Sequence, residues 1–192
     1  MTGIFKEPVD GPRMLRAGNI DGDGQADLSV HGGRYKAAYA YPSEHYPWWR
    51  TELPGTDLPW GMFGENFTTE GLTEETVHSG DRYRIGSAVV VVTQPRLPCY
   101  KLGLKFRRND MSTMFLQSGR TGFYLAVERE GVVAPGDAVE PLSADPGGVS
   151  IGDLLRLYLS VAKEPDLLRR ALALESLPDG WKNSLREQSP RQ

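Results

Sequence analysis

One cysteine, Cys99, and three histidines are all that this 192-residue chain offers to thiol and imidazole chemistry. A single thiol closes no internal disulfide and cannot supply the ligands of an iron–sulfur cluster, which suits a reducing compartment, the cytoplasm. Long hydrophobic runs are also missing. The longest apolar strand-like run is Ala88 to Val92, far short of the ~18 residues of a membrane helix, so no membrane role is expected. Met1 to Met14 includes Lys6, Glu7, Pro8 and Asp10 and lacks the apolar centre of a secretory signal. Nor is there an excess of positive charge: 22 basic against 25 acidic residues leave a net −3, and no global field favours nucleic acid. The chain has no phosphate loop ending in Lys-Ser/Thr, HExxH, paired CxxC, GxSxG elbow or dinucleotide fingerprint. The usual support for nucleotide, zinc and serine-hydrolase chemistry is therefore gone.

What is present is a chain that can build a core, with 39% hydrophobic and 24% charged residues. Up to about Pro141, short apolar segments alternate with Gly, Pro, Asn and Asp, the pattern of an all-β barrel or sandwich. Val89 to Thr93 is the strongest strand, apolar on both faces, with Pro95 expected to end it. Tyr83 to Ile85, Gly122 to Glu128 and Ala138 to Leu142 are further strands, while Ala37 to Tyr41 reads as a strand or a helix start. Val77 to Tyr83 and Val133 to Val139 echo each other, each placing Gly-Asp before a strand, as a weak internal repeat. Ser43 to Leu53 and Asp110 to Ser118 read as short helices, opened by side-chain oxygens able to cap free amides. They are expected to cover the barrel ends.

Composition changes at the turn-rich Asp145-Pro146-Gly147-Gly148, so residues 1–145 are read as the β domain and 149–188 as a helical extension. Ser150 and Asp153 form an approximate capping box, after which Ile151, Leu154, Leu155, Tyr158 and Ala162 share one helical face. Pro165 and Pro178 suit first-turn positions of a second and a third helix. A unit of about 40 residues is marginal alone and should pack on the barrel.

Two polar motifs lose out to plainer readings. Asn19 to Asp27 resembles half of a calcium loop, but its twelfth position is Val30 and a polar turn is favoured. Asn66-Phe67-Thr68 fits a glycosylation sequon that a cytosolic chain does not use.

The segment that carries chemistry is Gln94 to Leu102, which sets the only thiol just past the strongest strand, between Pro98 and a basic run. Five cations (Arg96, Lys101, Lys105, Arg107, Arg108) and no acid lie between Arg96 and Arg108, against the sign of the whole protein. Cations beside a thiol favour the thiolate, which is both nucleophile and soft metal ligand, and they can hold a phosphate. The plainer alternative is a small buried cysteine beside a solvated basic face. A second segment, Asp27 to Lys36, offers paired glycines that allow a ligand close to the backbone, with His31 and Lys36 as donors. Phe63 to Leu72 and Gly119 to Tyr124 add polar groups and another cation in Gly-rich surroundings.

In this order, Gly24 to Leu28, His31-Gly32-Gly33, Lys36, Tyr41-Pro42, Gly64-Glu65-Asn66, Gly80-Asp81-Arg82, Gln94-Pro95-Arg96, Pro98-Cys99 and Gly119 to Gly122 resemble the MOSC family, named for the C-terminal domain of molybdenum cofactor sulfurase. The helical tail looks like the three-helix extension of its YiiM-like branch. The resemblance implies a mainly β fold, a MOSC-type β-barrel with short covering helices plus a small C-terminal three-helix unit. It implies a molybdenum cofactor (molybdopterin) in the barrel cleft, with Cys99 as metal ligand and catalytic centre and no pyridoxal phosphate. His31, Gly32, Gly33, Lys36, Asn66, Arg96 and Arg120 are the implied cofactor-lining residues. An independent charge consideration agrees, because a phosphate on an acidic protein needs Arg96, Arg120 or Lys36 nearby.

The resemblance further implies reduction of N-hydroxylated bases or related N-oxygenated compounds, with electrons from a separate reductase. Its alternative is a carrier role, Cys99 holding cofactor or a persulfide for delivery. Two other readings stay open: a cysteine hydrolase pairing Cys99 with His31 or His45, and a small-molecule binding module that has kept the fold and lost the cofactor.

Overall fold

The computed structural model describes residues 3–23, 33–160 and 164–187. The stretch holding His31 and Gly32, and Ala162 in the tail, lie outside the described residues.

Eight strands are formed: β1 Arg13–Leu15, β2 Ala38–Pro42, β3 Phe67–Thr69, β4 Arg82–Ile85, β5 Ala88–Pro95, β6 Phe123–Arg129, β7 Gly131–Val133 and β8 Val139–Ser143. Six make one sheet in the order β3-β2-β6-β5-β4-β8, while β1 and β7 pair as a separate ribbon. Only β2 and β3 are parallel. The edge strands β3 and β8 do not pair with each other, so the expected barrel is a half-barrel, curled but open.

The Val-rich run does become β5, ending at Pro95. Its ladder with β6 matches Val92 to Leu125 and then Pro95 to Phe123. Thr93 and Gln94 thus oppose the single residue Tyr124, a bulge that bends the strand and re-aims its side chains. Thr93 Oγ1 fills the gap by bonding the carbonyls of Tyr35 at 2.8 Å and Tyr124 at 3.1 Å. The chain leaves the sheet immediately afterwards, toward Cys99.

Strand β2 explains its own ambiguity in the sequence, since all five of its residues are buried. Side chains alternate across a strand. Ala38 and Ala40 join the core of the sheet, whereas Tyr39 and Tyr41 enter a second, aromatic core. That second core holds Trp49 and Phe63 together with residues of three short helices, α1 His45–Glu52, α2 Tyr100–Phe106 and α3 Met111–Gln117. Phe63 stacks on Tyr41 at 4.5 Å and lies 5.8 Å from Phe115. The short helices do more than cover an end, because they enclose a core of their own with Tyr39 and Tyr41.

Two capping expectations fail. Helix α1 starts after Glu44 without a side-chain cap bond. Asp110 precedes α3 but its carboxylate is taken by Arg108, at 2.7 and 3.0 Å. The internal echo, by contrast, has a common structural cause: Asp81 accepts from the His78 amide at 2.9 Å and Asp137 from the Ala134 amide at 2.8 Å. Both are Asp-stapled turns, each passing through a glycine of positive φ, Gly80 and Gly136. Two acids of the calcium-like stretch serve ion pairs, Asp21 with Arg16 and Asp23 with Lys6.

The tail forms α4 Ile151–Leu159, α5 Pro165–Ala173 and α6 Asp179–Glu187. The capping box is present, with Ser150 Oγ accepting from Asp153 N at 2.9 Å and Asp153 Oδ2 from Ser150 N at 3.2 Å. Pro165 opens α5, and Pro178 stands just before α6, its carbonyl accepting from Trp181 N at 3.0 Å. Val90, Val92, Ile151, Leu154, Leu167 and Trp181 belong to one continuous core, so the tail completes the sheet's hydrophobic face. No helix of the described residues is long and apolar enough to cross a membrane.

Leu154 is fully buried in this shared core. Leu154→Ala should lower stability by about 2–5 kcal/mol, and denaturant unfolding should remain one transition. Separate transitions for tail and sheet would show that the core is not shared.

Candidate cofactor site

Cys99 sits in extended backbone, φ −113 and ψ 168, at the start of α2. Its carbonyl accepts from Leu102 N at 2.9 Å and Ser112 Oγ at 3.2 Å, tying the loop to α2 and α3. The thiol is free and half-buried, neither sealed in the core nor fully in water.

Arg96 lies beneath this loop, only 6% exposed. Its guanidinium donates to the Phe63 carbonyl and lies 4.6 Å over the Tyr39 ring and 5.4 Å from that of Phe115. Burial alone would make this cation easier to lose; the phenols of Tyr39 and Tyr124 and the Cys99 sulfur outweigh that and hold its pKa above the ordinary value. Arg96 is thus a permanent charge electrostatically linked to Cys99. Burial raises the pKa of Tyr124, with Arg96 opposing and Cys99 adding to the rise. The phenol therefore stays neutral.

On the other side of Tyr124, Lys36 Nζ lies 5.6 Å from the ring centroid. Lys36 is half-buried, forms no ion pair among the described residues, and has its pKa lowered by burial. Gln94, 1% exposed, has both Nε2 and Oε1 without a partner. A buried amide left unsatisfied on both sides is costly unless a ligand completes it. Gly33, Lys36, Gln94 and Leu97 line one wall of a groove of about 400 Å³, and Tyr158 and Trp181 of the tail stand in its other wall. A second cleft of about 730 Å³, sharing Arg34 and Tyr35, continues between the sheet and α5.

Of the residues singled out by the sequence, Gly33 and Lys36 line this groove, whereas Arg96 and Cys99 stand in the loop after β5, outside the walls of both cavities. Asn66 is engaged elsewhere, since its Oδ1 accepts from Tyr39 N at 3.0 Å and its Nδ2 donates to Asp23 at 2.7 Å, stapling β2 to neighbouring loops. Arg120 lies 4.4 Å over Trp48 and donates to the Ser118 carbonyl at 3.0 Å, outside the walls of both cavities. The turn that follows it is held by a buried pair, with Glu74 bonding His45 Nε2 at 2.7 Å and Gly122 N at 2.5 Å. Gly122 has φ +63, and a Cβ there would lie 2.4 Å from the Ala40 carbonyl, so glycine is required. His45 is occupied by this pair, which weakens its reading as a partner for Cys99.

The five-cation cluster is dispersed by folding. Arg96 enters the aromatic core, whereas Lys105 Nζ bonds the carbonyls of Ile4 at 2.8 Å and Gly61 at 2.6 Å. Arg108 pairs with Asp110, and Lys101 and Arg107 make no ion pair among the described residues. Gln94, present in the motif order but not assigned to the cofactor, and the tail aromatics Tyr158 and Trp181, read only as helix faces, join the groove. Gln94 alone carried a signal, as an amide at the end of an otherwise Val-rich strand.

No three His, Cys, Asp or Glu side chains gather as a metal cluster among the described residues. A metal held at Cys99 must bring most of its ligands with it, as an ion already chelated by an organic cofactor does. The donor set suits molybdopterin. Gln94 offers a buried donor and acceptor to a pterin edge, Lys36 a partly desolvated cation to a phosphate, and Cys99 a soft ligand to molybdenum.

An open, curled sheet that carries a half-buried thiol in the loop after its central strand and shares its core with a three-helix tail defines a class of β domain, and the family comparison gives it a name. The family model described as MOSC domain matches residues 27–140, and that of the YiiM-like 3-alpha helix domain matches 149–188. The chain belongs to the MOSC family, in its YiiM-like form. It is 44% identical over 190 residues to YflK of Bacillus subtilis (strain 168), covering 99% of this chain and 86% of the relative. The crystal structure of YiiM from Geobacillus stearothermophilus superposes with TM-score 0.86 at 33% identity, covering 99% of this chain and 90% of that one. A protein of Gibberella moniliformis (strain M3125 / FGSC 7600) named "Reductase" is 36% identical over 144 residues, 73% of this chain but only 26% of that larger protein. The family is associated with molybdenum-cofactor binding, and these relatives support a function of that kind.

Lys105 provides a pH test of the site's framework. Burial lowers its pKa from 10.5 to about 8 in the folded chain. Between those values the unfolded chain binds more protons, so this residue makes stability rise with pH from about 8 toward 10, where tyrosine ionisation begins to act in the opposite sense. Lys105→Met should flatten that rise in denaturant titrations at pH 7.5 to 9.5. An unchanged slope would show that Lys105 is not desolvated as described.

Proposed function

We propose that the protein is a molybdenum-cofactor oxidoreductase that reduces N-hydroxylated bases and related N-oxygenated compounds to the parent amines. The observation that carries this reading is the groove lined by Gln94 and Leu97, at the start of the loop that leads to Cys99, where a buried Gln94 without a hydrogen-bond partner and a Lys36 with no ion pair among the described residues await a polar, anionic ligand. The family and the relative named for a reductase supply the reaction type.

The overall reaction is R–NHOH plus two electrons and two protons giving R–NH2 and water. Bound molybdopterin would supply the two-electron redox change and accept the departing oxygen. Cys99 would anchor the cofactor through its sulfur, Lys36 would hold the phosphate, and Gln94 would read the pterin edge. Arg96, buried against Tyr39 and Phe115, pins the start of the loop that presents Cys99. Tyr158 and Trp181 narrow the groove and limit water. Electrons would come from a separate reductase, since one cysteine and no dinucleotide motif leave the chain without another redox centre.

Protein made in a host that synthesises the cofactor should bind molybdenum near one per chain. With reduced methyl viologen it should turn over 6-hydroxylaminopurine repeatedly. Gln94→Leu should weaken cofactor retention by roughly 10–100-fold, the cost of removing a supporting contact, and Cys99→Ser should cost activity more than that. Bound molybdenum without turnover would reject the reductase reading. A single stoichiometric transfer to an acceptor protein would favour delivery instead.

A further inference from the structure

The surface around α2 has no role in the site just described, and its composition is unusual for exposed protein. Tyr100 is 72% exposed and Leu104 61% exposed, and as residues four apart they share one helix face. Phe5, 61% exposed, has its ring 5.7 Å from Lys105 Nζ, and the same amine bonds the carbonyl of Gly61, next to Trp60, which is 46% exposed. Lys105 therefore ties the Phe5 segment and the turn at Trp60 and Gly61 to the helix that carries Leu104. Scattered apolar residues are ordinary on a surface; a group of four large ones marks an interaction site.

The α2 segment itself carries charge of one sign. Lys101 and Arg107 make no ion pair among the described residues, and no acid occurs from Arg96 to Arg108. In a protein of net charge −3, such a local cationic rim selects acidic partners against the global field. Position supplies the remaining constraint. Helix α2 begins directly after Cys99, and at 1.5 Å rise per residue Leu104 lies only about 7.5 Å along the axis from it.

We infer that the exposed face of α2, Tyr100 and Leu104 with Phe5 and Trp60, rimmed by Lys101 and Arg107, is the docking surface for an acidic electron-carrier protein. This inference rests on the redox reading above. An apolar centre with a charged rim fits a partner that must dock and leave, and electron-transfer encounters use small interfaces, below about 1,200 Å². A one-electron carrier must dock twice per turnover, each time in reduced form and leaving oxidised.

The test uses the full chain and a plant-type [2Fe–2S] ferredoxin as the acidic probe. Binding, followed by NMR line broadening of the labelled chain, should map to Tyr100, Lys101 and Leu104 and weaken at least 10-fold between 50 and 300 mM salt, roughly as expected for exposed charges under increased screening. The double variant Tyr100→Ser/Leu104→Ser and the separate variant Lys101→Glu should each weaken binding at least 5-fold, while Arg186→Glu on α6 should not. In the cofactor-loaded enzyme, the first two should lose ferredoxin-driven turnover and keep viologen-driven turnover within 2-fold. Absence of viologen-driven turnover in the unaltered protein would reject the reductase reading and leave the binding map to decide the surface. Binding elsewhere, indifference to salt, or equal loss with both donors would overturn the docking surface.

Discussion

Arg96 is a full charge placed where charge is expensive, between the rings of Tyr39 and Phe115. Its hydrogen bond to the Phe63 carbonyl and its electrostatic contact with Tyr39, Tyr124 and Cys99 compensate for lost water. Removing either side of such an arrangement leaves a buried group unpaired, which costs far more than a surface contact. The loop from Pro95 to Cys99 is consequently fixed at both ends. Arg96 pins it to the aromatic core, and the Cys99 carbonyl binds α2 and α3.

The same constraint links fold to function. The bulge in β5 sets two residues against Tyr124. It turns Gln94 toward the groove, buries Arg96 and brings the chain out at Cys99. The aromatic core carries the cation, the Val-rich core carries the tail, and the groove lies where the tail meets the sheet. Tail and sheet share one hydrophobic core, so Tyr158 and Trp181 form a wall rather than a loosely tethered flap.

The legible parts of this design are those written in local pattern. The Val run of β5, the capping box at Ser150 and the prolines around α5 and α6 each act within a few residues, and each stands in the structure. Helix α2 has no such signature, because Gly103 and the basic run give it no apolar period. Strand β2 is ambiguous in sequence because both of its faces are buried. Asp110 has the chemistry of a helix cap, but Arg108 occupies its carboxylate.

The candidate site divides in the same way. Cys99, Arg96, Lys36 and Gly33 can be named from motif order, and all four lie around the groove and its supporting loop. Gln94 stands in the motif order too, but its burial without a partner cannot be read there, because a register shift between β5 and β6 places it and register is a property of two strands together. Asn66 and Arg120 belong to the motif but contribute through the framework, one stapling β2 and the other stacked on Trp48. Motif residues of a family mix those that would touch a ligand with those that hold the shape.

The central claim is that the Cys99 sulfur binds molybdenum. Molybdenum K-edge absorption spectroscopy on the cofactor-loaded protein and on Cys99→Ser tests it directly, without reference to any substrate. The account predicts that the substitution removes one sulfur scatterer from the first coordination sphere. Identical metal–sulfur coordination in the two proteins would contradict it.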